Sequence, residues 1–295
     1  MFGNVALRER LQALVRSRRS APADAAPRSP YAPPPRADDP TIVAECTDGG
    51  AVRTDTGVEE FLPGGEWRGE HGTVYVHERL RSAIERPCSH WGRLGEPPVG
   101  EIELNALAAA GLHRALFLDL ETGGLAASPV FLAGTMHWNG TDFVVRQYFA
   151  RHYGEEASLL EGVATLAKEF EFLITFNGKS YDVPFLMNRA TVHGVRITLP
   201  PGHIDVLHPS RRRWKGEFLD CRLQTLERFV CRRRRSGDVP SDEVPALYHD
   251  FVRRGNPYRL IPVFHHNMLD VITMAEILRA LCDPDPARWT RVELE

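Results

Sequence analysis

The chain has 295 residues, 43% of them hydrophobic, and a formal net charge of −3, from 36 Lys and Arg against 39 Asp and Glu. A sizeable core is therefore possible, and neither a globally basic nucleic-acid binder nor a membrane-surface protein is indicated. No apolar run reaches the ~18 residues of a membrane span, no apolar leader opens the chain, and the five cysteines form no Cys-x-x-Cys pair, so the expected setting is a reducing cytoplasm without a disulfide framework or zinc site.

In chain order, residues 4–18 carry Val5, Leu7, Leu11, Leu14 and Val15 among arginines, the spacing of a short amphipathic helix. This N-terminal helix is assigned to 1–20, and the Ala-, Pro-, Ser- and Arg-rich stretch 21–40 to a linker. Residues 41–111 read as a small β-rich and helical extension. It has short strands at Thr41–Ala44, Gly50–Arg53 and Thr73–Val76, a helix within 78–113, and a Gly/Pro-rich join around Gly95 to Gly100. The main domain is expected over 112–282, with a tail over 283–295.

Within that domain the apolar run Ala115 to Leu118 gives a first strand over 114–119. Val130–Trp138 and Phe143–Phe149 give two more, joined at Asn139-Gly140, a strong hairpin signal. A helix with one apolar stripe over 155–170 then leads to a strand at Phe172–Phe176, which after a helical crossover runs parallel to the first. A helix over 183–193, a short strand at His203–Val206, and helices near 208–214, 222–231, 244–254 and 268–281 complete the domain. The order predicts an α/β fold: a mixed five-stranded sheet flanked by helices, with a small N-terminal extension.

The chemistry gathers behind the first strand. Asp119 and Glu121 are two residues apart, so on a strand they share a face, and Gly123-Gly124 break the chain after them. Paired carboxylates at the end of a buried strand suit a divalent cation, although Asp-x-Glu also occurs as a solvated turn. Asn177-Gly-Lys-Ser-Tyr-Asp182 follows the fourth strand and opens a helix. Asp182 is thus a candidate ligand at the same sheet edge and equally a candidate helix cap. In Phe264-His-His-Asn-Met-Leu-Asp270, His266 and Asp270 are four apart and share a helix face. Alone, His266 would read more naturally as a core or surface histidine. Two basic runs, Arg211-Arg-Arg-Trp-Lys215 and Arg232 to Arg235, suit a phosphate backbone and, at Trp214, a stacked base, or else form a solvated face. Asp205, closing the fifth strand, stands either as support for the site or as a cap.

Taken together these pieces resemble the DEDD exonuclease superfamily, of ribonuclease H-like fold. Asp119, Glu121 and Thr122 match its first motif, Asp-x-Glu-Thr, and Asn177, Tyr181 and Asp182 match its second. Its third ends in an Asp with a Tyr four back or a His five back; Asp270 has His266 four back and His265 five back. Within the superfamily the chain is most similar to the YprB-type ribonuclease H-like domain, on His266, Asn267 and Asp270 and on the run Cys221 to Glu227, over roughly 112–282.

The resemblance implies a metal-dependent 3′→5′ exonuclease acting on single-stranded DNA or RNA. Asp119, Glu121, Asp182 and Asp270 would hold two divalent ions, Mg²⁺ or Mn²⁺. His266 would be the general base, favoured by position, with His265 the alternative. Thr122, Asn177, Lys179 and Tyr181 are expected at the terminal nucleotide, and Arg211, Arg212, Arg213 and Trp214 along the strand. The competing expectations are a structure-selective endonuclease of the same fold and a nucleic-acid-binding module without catalysis.

Overall fold

The computed structural model describes residues 57–84, 94–124, 128–235, 237–283 and 285. The chain divides into two units, Met1–Cys46 and Thr47–Glu295, and every described residue belongs to the second. The expected N-terminal helix, the linker, the strands at 41–44 and 50–53 and nearly all of the tail lie outside the described residues.

Seven strands form one mixed sheet: β1 (Gly64–Gly69), β2 (Gly72–Leu80), β3 (Ala115–Thr122), β4 (Val130–Trp138), β5 (Phe143–Phe149), β6 (Phe172–Thr175) and β7 (Gly202–Asp205), in the order β1-β2-β5-β4-β3-β6-β7. From β1 to β3 neighbours are antiparallel, while β3–β6 and β6–β7 are parallel. The helices are α1 (Ile102–Ala110), α2 (Glu156–Ala167), α3 (Asp182–His193), α4 (Leu207–Trp214), α5 (Leu223–Phe229), α6 (Val244–Arg254) and α7 (Ile261–Leu281). None of the described helices is long and apolar enough to cross a membrane.

The five expected strands are all present, and the sheet corrects the expectation by two more. β2 adds to β5 in antiparallel register, Tyr75 opposite Phe149, so the extension carries on the main sheet. β1, Gly-Gly-Glu-Trp-Arg-Gly, has little strand propensity of its own. Its hairpin with β2 is held from outside: the Glu161 carboxylate on α2 accepts from the Glu70 and His71 amides at 2.8 Å each. Two further boundaries move. Residues 78–80 finish β2, and the helix expected within 78–113 is α1. α7 starts at Ile261, seven residues before the expected 268, because Pro262 is tolerated in a first turn where its missing N–H would bond nothing.

Alternation along β3 decides which face carries the chemistry. Leu116, Leu118 and Leu120 enter the apolar cluster shared with α2 and α3. Ala115 and Phe117 enter the opposite cluster, built largely by α7, α1 and α5. By the two-residue period, Asp119 and Glu121 continue the second set and lie on the α7 side of the sheet. The ladder shifts register between Glu121 and Thr122, and Thr122 still pairs with Val130 of β4.

Candidate active site

Four elements converge at the end of β3. Asp182, the first residue of α3, accepts from the Leu120 amide at 3.2 Å, which ties the α3 start to β3. The turn leading to it is built on Asp205 of β7. Its buried carboxylate accepts from the amides of Asn177 (2.7 Å), Lys179 (3.1 Å) and Leu207 (3.2 Å), and Asn177 takes a left-handed φ of 63° to make the turn. Asp205 therefore supports the site through the backbone.

From α7, Asn267 is fully buried and reaches across the sheet. Its Nδ2 donates to Asp119 Oδ2 at 2.9 Å and to the Asp119 carbonyl at 3.2 Å. Gln147 of β5 fixes its orientation by donating to Asn267 Oδ1 at 2.9 Å. Between Asp119 and Gln147 in the ladder sits Gly134, where a Cβ would fall 2.2 Å from Asn267 Oδ1. Glycine is what lets the helix side chain lie on the strand.

Asp270 and His266 stand one turn apart on α7, with His266 Nε2 3.4 Å from Asp270 Oδ2. His266 Nδ1 is 2.6 Å from Asp238 Oδ1, in the loop before α6. Arg235, only 8% exposed in its side chain, bridges Asp270 Oδ1 and Glu227, with Nε 2.5 Å from Glu227 Oε2. Asp238, Arg235 and Glu227 are site residues that sequence reasoning missed. Glu227 closes the run Cys221 to Glu227 and Arg235 ends the second basic run, but neither pattern assigns them to the carboxylates, and Asp238 lies in a loop with no motif to mark it.

Burial and the neighbouring charges act on these carboxyls together. Burial, then the charges of Asp270, Glu121 and Asp182, hold the Asp119 carboxyl well above the ordinary range, against its Asn267 hydrogen bond. Burial likewise pushes Glu121 up to about 8, with His266 opposing and Asp270 and Asp182 adding. Asp182 rises to about 6, mainly by burial, despite the Leu120 amide. Burial alone would lower His266. The Asp238 hydrogen bond and the charges of Asp270 and Glu121 outweigh it and raise the ring to about 9. Asp238 itself is lowered: burial would raise it, and the His266 contact wins.

As it stands, no group of three or more His, Cys, Asp or Glu side chains among the described residues is disposed to hold a metal ion. Arg235 engages Asp270, Asn267 engages Asp119 and the Leu120 amide engages Asp182. By chemistry the donor set nonetheless fits a hard divalent cation. All four groups offer oxygen, and a dication would favour the ionised form that burial and mutual repulsion disfavour at Asp119, Glu121 and Asp182.

The other expected residues divide. Thr122 donates to the Gly124 carbonyl at 3.1 Å beside Glu121, and Tyr181, 69% exposed, stands next to Asp182. Lys179 is drawn to Glu103 at 3.5 Å and Arg212 to Glu101 at 2.6 Å, both toward the start of α1. Arg211 is exposed, whereas Arg213 has Nε and Nη2 buried without a hydrogen-bond partner among the described residues. Trp214 corrects the expectation of a stacked base: it is fully buried in the core cluster, with no face left for a ligand. His265 is exposed and bonds to nothing among the described residues, while His266 faces the carboxylates. Arg233 and Arg235 of the second basic run are also turned inward, Arg233 onto Glu276 and Thr273 at 2.8 and 2.9 Å.

A family model described as the RNase_H superfamily matches residues 116–282. The uncharacterized protein YprB of Bacillus subtilis is 32% identical over 203 residues, covering 66% of this chain and 47% of YprB, so the chain spans about half of that relative. A DNA polymerase of Methanocaldococcus jannaschii is 23% identical over 134 residues, 44% of this chain and 8% of the polymerase. The structure of a family B DNA polymerase from Pyrobaculum calidifontis overlaps 55% of this chain and 24% of its own, at 17% identity and a TM-score of 0.45.

Proposed function

The chain belongs to the RNase H superfamily, and on that premise we propose that it is a metal-dependent nuclease removing nucleotides from the 3′ end of single-stranded DNA or RNA. One observation carries the reading: four carboxylates from β3, α3 and α7 repel one another at one end of β3, with a histidine facing them. Asp119, Glu121, Asp182 and Asp270 would hold the ions. Bound there, two divalent cations supply Lewis-acid polarisation of the phosphate and a lowered pKa for the attacking water.

The chain's own residues do the rest. Asn267 holds the Asp119 carboxylate in one orientation, and the Asp205-supported turn holds Asp182. Asp238 takes the Nδ1 side of His266, which leaves Nε2 directed at Asp270 to exchange a proton with the attacking water. With its pKa near 9 the ring is a cation at neutral pH. Neutralising Asp270 and Glu121 removes two of the charges that raise it and brings it toward the range of a base. Tyr181 offers an exposed ring to the terminal base.

A second reading has its own observation. Arg235 already neutralises Asp270, as in a binding module that has given up catalysis. One experiment separates them. Full-length protein is incubated with 5′-labelled single-stranded DNA and RNA in Mg²⁺, Mn²⁺ or EDTA, beside Asp182→Ala. A metal-dependent ladder shrinking from the 3′ end, lowered by at least ~100-fold in the variant, is expected. A single internal cut would indicate an endonuclease, and binding without turnover the module.

A further inference from the structure

Beyond the carboxylates lies a cavity of about 580 Å³, within the ~300–1,000 Å³ span of ligand pockets. Its floor includes Glu227, Arg235 and Asp238, the side chains that contact Asp270 and His266. The cavity therefore borders the proposed catalytic cluster across these three side chains. Its rim includes Gln224, Arg228 and Arg234. Gln224 and Arg228 are one turn apart on α5 and share a helix face.

The charges of floor and rim differ. Glu227 is met by Arg235 and Arg233, and Asp238 by Arg235 and His266, so the floor is compensated. Arg228 and Arg234 form no ion pair among the described residues. Both are exposed, and Arg228 lies over the Phe229 ring at 5.3 Å. Four arginines against two carboxylates leave the lining net positive, with the excess at the rim. Val239 and Pro240 add an apolar wall. An anion repeating along a chain, with apolar surface between its charges, matches this arrangement.

We propose that the cavity is the lane by which the phosphates beside the scissile bond of a single strand approach the carboxylates, with Arg228 and Arg234 as phosphate contacts and Gln224 as a neutral donor. The proposal rests on the nuclease reading and names where that substrate lies. The inward turn of Arg233 and Arg235 gives the second basic run two separate jobs. Two of its members hold the floor, and Arg234, together with Arg228 of α5, meets the strand.

The test uses full-length protein and fluorescein-labelled single-stranded DNA and RNA. Affinity is read by anisotropy in EDTA across a salt series, and cleavage separately in Mn²⁺. The double variant R228Q/R234Q is expected to bind at least ~10-fold more weakly at low salt on every sequence, with the log–log salt slope reduced by about 1.4, two contacts at ~0.7 each. Its kcat at saturating substrate should stay within about twofold, because neither side chain reaches the reacting atoms. R228K/R234K should restore the slope. R79Q/R196Q, which removes two exposed charges outside the cavity, should bind like wild type and shows that total charge is not the cause. If wild type binds and cleaves while R228Q/R234Q keeps full affinity and slope, the lane is overturned and the nuclease stands. If wild type neither binds nor cleaves either strand, both fall together.

Discussion

At the scale of single residues, the arrangement around His266 assigns Asp238 a job that can be measured. Its carboxylate is 2.6 Å from Nδ1 and is the main favourable cause of the ring's rise to about 9, against the opposing effect of burial. Asp238→Asn removes the charge and keeps the shape. The ring pKa should fall toward its ordinary value of about 6.5, followed by the His266 imidazole shifts in an NMR titration. Loss of an orienting partner of this kind typically costs about 10–100-fold, so kcat should fall by that factor with KM little changed. A His266 titration unmoved by the substitution would remove Asp238 from the mechanism. The carboxylates could be read from the sequence because each sits at a fixed spacing on a regular element: two apart on a strand, first in a helix, four from a histidine. Asp238 could not, and Arg235 stood out only as the end of a basic run suited to phosphates, not as a partner of Asp270. They reach His266 and Asp270 from 28 and 35 residues away along a loop with no period. Only the packing of that loop against α7 reveals which acidic or basic side chain turns inward. Trp214 failed for the same reason in reverse, since a Trp among four cations is indistinguishable in sequence whether it faces solvent or core.

At the scale of elements, the contact between β4 and α7 sets how Asp119 is presented. Asn267 lies on the sheet only because Gly134 has no Cβ; the three nearest atoms to a Cβ built there all belong to Asn267. Gly134→Ala should destabilise the protein by about 1–3 kcal/mol, the usual range for overpacking, and should lower activity by freeing the Asp119 carboxylate. The double variant G134A/N267A tests the cause. With the obstructing side chain gone, it should be less destabilised than the sum of the singles in urea unfolding, a coupling expected only between touching residues. Strict additivity would place the clash elsewhere. β1 belongs to the same scale. Three glycines in six residues give no strand signal, and the hairpin is specified by Glu161, some ninety residues on, which caps its turn amides. A local reading of the sequence sees the six strands whose own residues prefer the sheet, Thr73–Val76 of β2 among them, and misses the one that its partners impose.

At the scale of the whole molecule, the buried carboxylate cluster sets how stability depends on pH. Asp182, Glu121 and His266 all have raised values, of about 6, 8 and 9. A group raised on folding contributes its stability fully below its unfolded pKa and loses it as pH climbs through the folded one. Asp182 thus loses its share between about pH 4 and 6, Glu121 between about 4.5 and 8, and His266 between about 6.5 and 9. Asp238 and Glu156 are lowered instead, so their contributions are already complete above about pH 4 and do not change in this window. The lowered histidines His77, His137, His203 and His265 run the other way and gain stability only up to about pH 6.5, so Tm measured in EDTA should fall from pH 6.5 to 8.5. In a domain of this size each ~1 kcal/mol lost lowers Tm by roughly 2–4 °C. A divalent cation binds the ionised carboxylates and competes with protons for them. Adding Mn²⁺ should then raise Tm more at pH 8.5 than at pH 5.5 and flatten the profile. Asp119→Asn, which removes one charge from the repelling set, should flatten the EDTA profile without any metal. If Tm is flat in EDTA, Asp119, Glu121 and Asp182 are not held up by burial and one another's charge. If Mn²⁺ raises Tm equally at both pH values, the ion binds somewhere other than the end of β3.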